Sequence, residues 1–381
     1  MENSVTSFEN LYRAYKIAKR NKSKGTSSLI YELNAVENTV ALQRQLESRT
    51  YRPKPTFTFT VHEPKERIVE SNAFSDKVVQ HSLCDNAIMP YFQKSFIRDN
   101  YASQIGKGQT DALDRLAHFM RHYYFSRKAN ADKAQRGAGG YEKGYVLKGD
   151  FAHYFYSIQH EPLKAAAHAQ IAKQEPDSEM RDFCCWLLDV FVDSTANPGI
   201  PIGFQTSQPL AILNLNAMDH HIQDALGATM YGRYMDDFYI IHEDKAQLQE
   251  WLADIRAFIQ PLGLSLNNKT QIFPLSQGLD FLGFHTYITP TGKIVRKLRS
   301  NKKADERRKL KKLRRMLDDG EITAKKIEES YQSWRSHVKQ GDTHRLLRNM
   351  DALYNTLFPE NQKKRDDNGK KNKHTRNGHK G

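Results

Sequence analysis

The sequence predicts an α+β fold built from more than one unit, and three observations carry that expectation. Near the N-terminus Leu11, Tyr15 and Ala18 fall at helical spacing, with Lys and Arg on the other faces. The period then drops to two at Phe57, Phe59 and Val61, which alternate with Thr and His as a half-buried strand does. After Lys293 long basic helices follow, "NKKADERRKLKKLRRMLDDG" and "TAKKIEESYQSWRSHVKQ". At 381 residues, two or three such units have room for a core.

Residues 8–48 read as helical, broken at Gly25-Thr26-Ser27-Ser28. Pro53 and Pro55 end this region, since proline cannot donate a helical hydrogen bond. Glu63-Pro64-Lys65-Glu66 reads as a hairpin turn, with Arg67-Ile68-Val69 returning, and "SDKVVQHSLCDNAIMPYF" resumes the helical pattern. Residues 126–144 are polar, basic and glycine-containing, which predicts a loop or insertion between two units. The apolar strand "YVLKGDF" then opens a mixed helix-and-strand region that runs to about Tyr287. From Pro359 onward there is almost nothing to bury, which predicts disorder. Such a tail fits an RNA or partner tether, or a solubilising end.

Fifty-eight Lys and Arg stand against 44 Asp and Glu, a formal charge of +14, so a polyanion is the natural partner. Part of the excess is local: residues 361–381 hold eight Lys or Arg and two Asp. No apolar run reaches membrane-spanning length and no N-terminal signal pattern is present, so neither a membrane nor secretion is indicated. Three cysteines without Cys-x-x-Cys spacing disfavour structural zinc and a disulfide framework, leaving a cytoplasmic location as the default.

The segment "YGRYMDDFYII" sets Asp236 and Asp237 side by side among aromatic and β-branched residues. Tyr231 to Tyr234 and Phe238 to Ile241 read as two short strands, with both carboxylates at the tip of the hairpin. Alone, that string fits a solvated turn as well as a functional site. Two further elements decide between them. In "YVLKGDFAHYFYSI", Asp150 closes an apolar strand and can face Asp236 if the strands are neighbours. Carboxylates so gathered repel without a cation, and hard Mg²⁺ bound through oxygen is the expected compensation. Two such ions about 4 Å apart would clamp the attacking and leaving oxygens of a phosphoryl transfer. In "PGIPIGFQTSQPLAILNLNAMD", a Gly-containing loop leads into a helix with Leu210, Leu213 and Ala217 on one face. A flexible backbone there suits close approach to a base or phosphate.

These elements, in this order, resemble motifs A, B and C of reverse transcriptases. "LGLSLNNKTQI" and "GLDFLGF" resemble motifs D and E, "YASQIGKGQTDAL" and "PKERIVESNAFSDKVVQHSL" resemble the fingers motifs of the bacterial enzymes, and "SYQSWRSHVK" resembles their thumb. The loop Ile202-Gly203-Phe204-Gln205-Thr206-Ser207-Gln208 departs from the Gln-Gly-x3-Ser-Pro usual in intron and retron enzymes. It is similar to that of diversity-generating retroelement reverse transcriptases of phages and bacteria.

The resemblance implies a right-hand polymerase with a ferredoxin-like palm. Fingers with N-terminal helices would cover residues 1–140, the palm 141–290, a helical thumb 291–358 and a basic tail 359–381. It implies Asp150, Asp236, Asp237 and the Phe151 backbone carbonyl as ligands of two Mg²⁺ ions, with Mn²⁺ as a substitute. Lys269 would protonate the leaving pyrophosphate. Lys65 and Arg67 would contact the dNTP triphosphate, Phe155 would exclude a ribose 2′-hydroxyl, and Ile202 with Gln208 would line the nascent-pair pocket. Isoleucine in place of glutamine at 202 removes a polar anchor, which predicts weaker discrimination against mispairs. Tyr234, Met235, Phe281, Leu282, Gly283 and Trp334 would hold primer and template. The implied partners are a template RNA, the cDNA/RNA duplex, dNTPs and a small basic accessory protein oligomer. The implied product is error-prone cDNA for targeted gene diversification. Two rivals stand beside this reading: a retron or phage-defence reverse transcriptase with the same chemistry, and an intron maturase-like RNA-binding protein with a degenerate palm, which the intact Asp150, Asp236 and Asp237 set and Phe155 disfavour.

Overall fold

The computed structural model describes residues 4–20, 25–62, 66–134 and 144–359. They divide into two compact units, one of residues 1–112 with 145–273, the other of 113–144 with 274–381.

The first unit opens with α1 (Phe8–Lys19), α2 (Thr26–Leu33) and α3 (Ala35–Glu47). Leu11, Ala14, Tyr15 and Ala18 form the buried face of α1, as their spacing predicts. The second helical stretch is split at Asn34, which ends α2 and begins α3. Next come β1 (Phe57–Val61) and β2 (Arg67–Ser71), an antiparallel pair joined through residues outside the described set. The alternation of β1 predicts half burial, yet all five of its residues are exposed: among the described residues its sheet has two strands, and neither face of β1 is covered. The helical pattern resumes in α4 (Phe74–Leu83), a π-turn over Cys84–Ile88 and α5 (Met89–Phe92).

Helix α6 (Gln109–Ala134) begins in the first unit and continues into the second. It runs through the first part of the stretch predicted to be a loop. "SRKANADKA" contains no glycine or proline, so helix propensity there prevails over polarity.

The four-stranded sheet of the first unit has the order β4-β5-β3-β6. Its strands are β3 (Tyr145–Asp150), β4 (Tyr231–Tyr234), β5 (Asp237–His242) and β6 (Gln271–Pro274). Around it lie α7 (Tyr154–Ser157), α8 (His160–Gln174), α9 (Ser178–Asp193), α10 (Ser207–Asn214), α11 (Asn216–His220) and α12 (Lys245–Ile259). Asp177 caps α9 by accepting from the Glu179 and Met180 amides, and Asp244 caps α12 through the Ala246 amide. The predicted helix carrying Leu210, Leu213 and Ala217 breaks at Leu215: the two leucines are buried in α10, while Ala217 lies exposed in α11.

Two glycines set how closely this sheet packs. Gly149 lies opposite Phe238, and a Cβ at 149 would stand 2.1 Å from that ring. Gly232 lies opposite Tyr239, whose hydroxyl would stand 2.6 Å from a Cβ there. Each aromatic ring therefore lies across its glycine, which a side chain at either position would forbid.

The second unit contains the sheet β7 (Leu279–Phe281), β8 (Phe284–Ile288) and β9 (Ile294–Leu298), all antiparallel, and helices α13 (Ser300–Asp318), α14 (Ala324–Val338) and α15 (His344–Leu357). Leu310, Ile327, Tyr331, Met350, Tyr354 and Phe358 form the core of the three helices. Only Glu306 and Leu310 of α13 are buried, so the cation-rich sequence forms a solvated face. No described helix is long and apolar enough to cross a membrane. The tail from residue 360 lies outside the described residues.

Gly149→Ala should overpack a fully buried contact and lower stability by about 1–3 kcal/mol, read as a drop in Tm. Adding Phe238→Leu to that variant should recover part of the loss. A variant melting like the wild type would show that the ring yields.

Candidate active site

Asp150 and Asp237 are direct partners across β3 and β5, so both side chains leave the same face of the sheet. The register is set by neighbouring pairs, Val146 opposite Ile241 and Leu147 opposite Ile240, all buried. These residues pack on both covered faces of the sheet, so a slip of one residue would break their packing on each. Asp237 also opposes Tyr234, which leaves Met235 and Asp236 as a two-residue turn. Only Asp236 therefore stands at the hairpin tip, whereas the sequence predicted both acids there. A two-residue connection suits the strand twist, and it draws Asp237 into the ladder. Met235 has φ 58°, a left-handed backbone that costs a non-glycine residue about 1–3 kcal/mol.

Asp150 and Asp237 both have partners. Asp150 Oδ2 accepts from Asn267 Nδ2 at 2.5 Å, and the Asp150 carbonyl accepts from the Asn267 amide at 2.8 Å. Asp237 Oδ2 lies 3.5 Å from Lys148 Nζ, on the same face and two positions before Asp150. Asp237 Oδ1 is buried and has no hydrogen-bond partner among the described residues. Burial pushes the Asp237 carboxyl up to about 7; Lys148 opposes this, while Asp150 and Asp236 add to it. Burial also raises Asp236, with Asp150 adding and Arg67 and Arg233 opposing.

Asp236 and Asp237, whose ionisation is held back by burial and by the neighbouring Asp150 charge, are in the condition that a divalent cation relieves. The donors are oxygens, as a hard cation requires, and Asp237 Oδ1 is unclaimed. As the side chains stand, no group of three or more His, Cys, Asp or Glu among the described residues is arranged to hold an ion. Asp150 is turned to Asn267 and Asp237 to Lys148, so an ion would draw both away from these partners.

The Phe151 ring is buried against Tyr154 and Phe238. The bonds flanking it, Asn267 amide to Asp150 carbonyl and Ala152 amide to Ser265 carbonyl, face the 265–267 segment. By the alternation of an extended chain, the Phe151 carbonyl faces away from that segment. Lys269 is exposed, and its amide donates to Asn267 Oδ1 at 2.9 Å, so one asparagine ties its loop to Asp150.

The Ile202 loop is clasped from two sides. The Ile202 carbonyl accepts from the Glu70 amide of β2 at 3.0 Å, and the Gln205 amide donates to the buried Gln80 of α4 at 2.8 Å. Gly203 has φ 130°, and a Cβ there would meet the Glu70 carbonyl at 2.3 Å, so only glycine fits. Phe155 is half-buried, and its carbonyl accepts from the Ile200 amide at 2.8 Å, joining α7 to the start of this loop. Gln208 is exposed on α10 and takes a hydrogen bond from Ser103 Oγ at 2.6 Å. Arg67 begins β2 and its charge acts on Asp236. Lys65 lies outside the described residues.

Phe281, Leu282, Gly283 and Trp334 belong to the second unit. Leu282 and Gly283 form the β7–β8 turn, both with positive φ, and Trp334 stacks on Tyr331 at 5.8 Å. Sequence reasoning missed Lys148, Asn267, Asp219 and Arg233. The alternation of β3 could have placed Lys148 beside Asp150; nothing local marks the others.

Compared with known proteins, the chain matches the family described as reverse transcriptase (RNA-dependent DNA polymerase) over residues 76–286. Among solved structures it is similar to a telomerase from Candida albicans in complex with a TWJ fragment of telomeric RNA. The identity is 11% and the TM-score 0.45, covering 69% of this chain and 51% of that one. An apo telomerase from Candida tropicalis gives 13% identity and a TM-score of 0.46, covering 68% and 52%. The chain thus spans about half the length of these two structures. No curated protein matches it.

Between about pH 4 and 7 the folded chain keeps a proton at Asp237 that the unfolded chain has released, so raising the pH through that window costs stability. With divalent ions chelated, the Tm of the wild type should fall more steeply from pH 4 to 7 than that of Asp237→Asn. Parallel profiles would show that Asp237 ionises normally.

Proposed function

Because the chain belongs to the reverse transcriptase (RNA-dependent DNA polymerase) family, we propose that it copies a retroelement template RNA into cDNA. The observation that supports this most directly is the pairing of Asp150 with Asp237 across one sheet, with Asp236 in the adjoining turn. Asp150, Asp236, Asp237 and the Phe151 carbonyl would hold divalent ions once Asn267 and Lys148 release their carboxylates. Bound Mg²⁺, or Mn²⁺ in its place, supplies charge compensation for nucleotidyl transfer.

The chain's own residues provide the rest. Arg67 and Lys65 pair with the triphosphate of the dNTP. Phe155 excludes a ribose 2′-hydroxyl by its bulk. Lys269, whose loop Asn267 tethers to Asp150, donates a proton to the leaving pyrophosphate. Tyr234 and Met235 flank the primer terminus, while Phe281, Leu282, Gly283 and Trp334 contact the duplex. The cation-rich face of α13 suits a phosphate backbone.

The finer reading is a diversity-generating retroelement enzyme, bacterial or phage-encoded, cytoplasmic and served by a small basic accessory protein. Its support is the Ile202-Gly203-x3-Ser207-Gln208 loop. Ile202 is half-buried and bonded only through its backbone, so its side chain packs and offers a base no hydrogen bond.

Asp236→Asn should leave a folded chain whose dNTP incorporation on an RNA template drops by roughly 10²-fold or more. Wild-type synthesis by that variant would refute the assignment. Sequencing of cDNA made by Ile202→Gln should show misincorporation reduced by roughly fivefold, about one net hydrogen bond. An unchanged error spectrum would remove Ile202 from fidelity.

A further inference from the structure

Among the described residues, the largest side chain with no solvent exposure is a cation, Arg233 of β4. Burying a guanidinium is unfavourable unless its donors find acceptors. Asp219, equally unexposed on α11, accepts from Nε at 2.7 Å and from Nη2 at 2.5 Å. Asp219 is itself filled, taking the Tyr231 hydroxyl at 2.6 Å and Asn100 Nδ2 at 3.3 Å. Two guanidinium bonds remain, both to carbonyls: Nη2 to Ile212 of α10 at 3.1 Å, and Nη1 to Met235 at 2.8 Å. The Arg233 backbone is gripped as well, its amide donating to the Asp99 carbonyl at 3.0 Å and its carbonyl accepting from the Tyr101 amide at 3.1 Å.

We infer that Arg233, oriented by Asp219, is a positioning residue that holds the Met235–Asp236 turn so that Asp236 stays beside Asp150 and Asp237. The inference rests on the reading of those three acids as the ion-binding set. The decisive contact is the one to Met235, the residue whose φ of 58° closes the turn. The Asp219 and Ile212 bonds answer the cost of burial; the Met235 bond adds a clamp on the residue before Asp236. Only a guanidinium can serve here, because its planar fork reaches a carboxylate and two carbonyls at once. A lysine keeps the charge but is a single point donor. Helices α10 and α11 and the hairpin are thereby fixed to one buried group, which cannot slide while residues 99–101 hold its backbone.

The test is single-nucleotide incorporation on a primed RNA template by the full chain, titrated with Mg²⁺, beside a thermal melt and a primer–template affinity. Arg233→Lys should lower kcat by roughly 10- to 100-fold through misplacement of Asp236, and raise the Mg²⁺ needed for half-maximal rate. Primer–template affinity should stay unchanged. Tyr231→Phe removes one bond to Asp219 and leaves the ion pair, so it serves if Arg233→Lys does not fold. It should lower kcat by roughly a few-fold, with the same shift in Mg²⁺ requirement. A folded variant with wild-type kcat and Mg²⁺ dependence overturns the inference. So does a loss of kcat that tracks only the folded fraction, with the Mg²⁺ requirement unmoved. Asp236→Asn separates the two levels. If it incorporates like the wild type, the ion-binding reading falls and this inference with it; if it is dead while Arg233→Lys matches wild type, this inference alone fails.

Discussion

Two carboxylates facing each other across antiparallel strands repel, and the first unit is organised around that contact between Asp150 and Asp237. A solitary pair of this kind would drive the strands apart or slip the register. The apolar pairs Val146–Ile241 and Leu147–Ile240 oppose the slip, because they are packed on both covered faces of the sheet and a shift of one residue would break that packing on each. Repulsion is met by charges and donors from four places in the chain: Lys148 on β3, Asn267 after α12, Arg67 on β2 and Arg233 on β4. Two of these, Lys148 and Asn267, occupy oxygens that an ion would claim. Each of these two partners is a side chain, so its hold on a carboxylate oxygen is reversible.

Close packing serves the same end. Gly149 and Gly232 let Phe238 and Tyr239 lie flat across the sheet, which brings β3, β4 and β5 together under the acids. At the Ile202 loop, Gly203 plays the corresponding part by allowing the Glu70 carbonyl of β2 to approach. That loop, β2 and α7 are linked through backbone bonds at Ile202 and Ile200, so Phe155, Ile202 and Arg67 belong to one connected set of elements. Function on such a scaffold depends on backbone approach as much as on side-chain identity.

The sequence by itself determined the class of fold, the order of the elements that carry the acids, and the acids themselves. Those features are local: a period of two or of 3.6, a proline, an Asp at the end of an apolar run. It also carried the family, through short motifs in a particular order. It misjudged what neighbours decide. The burial of β1 depends on a covering layer that no described residue supplies, and the place of Asp237 depends on the length of a turn.

Only the tertiary structure decided which groups answer the acids. Asn267 lies 117 positions after Asp150, and Asp219 reads as one more acid at the end of a helix until Arg233 is seen against it. Such partnerships leave no local pattern. They follow from the free energy of burying polar groups, which is settled by whatever donor or acceptor the folded chain brings within about 3 Å.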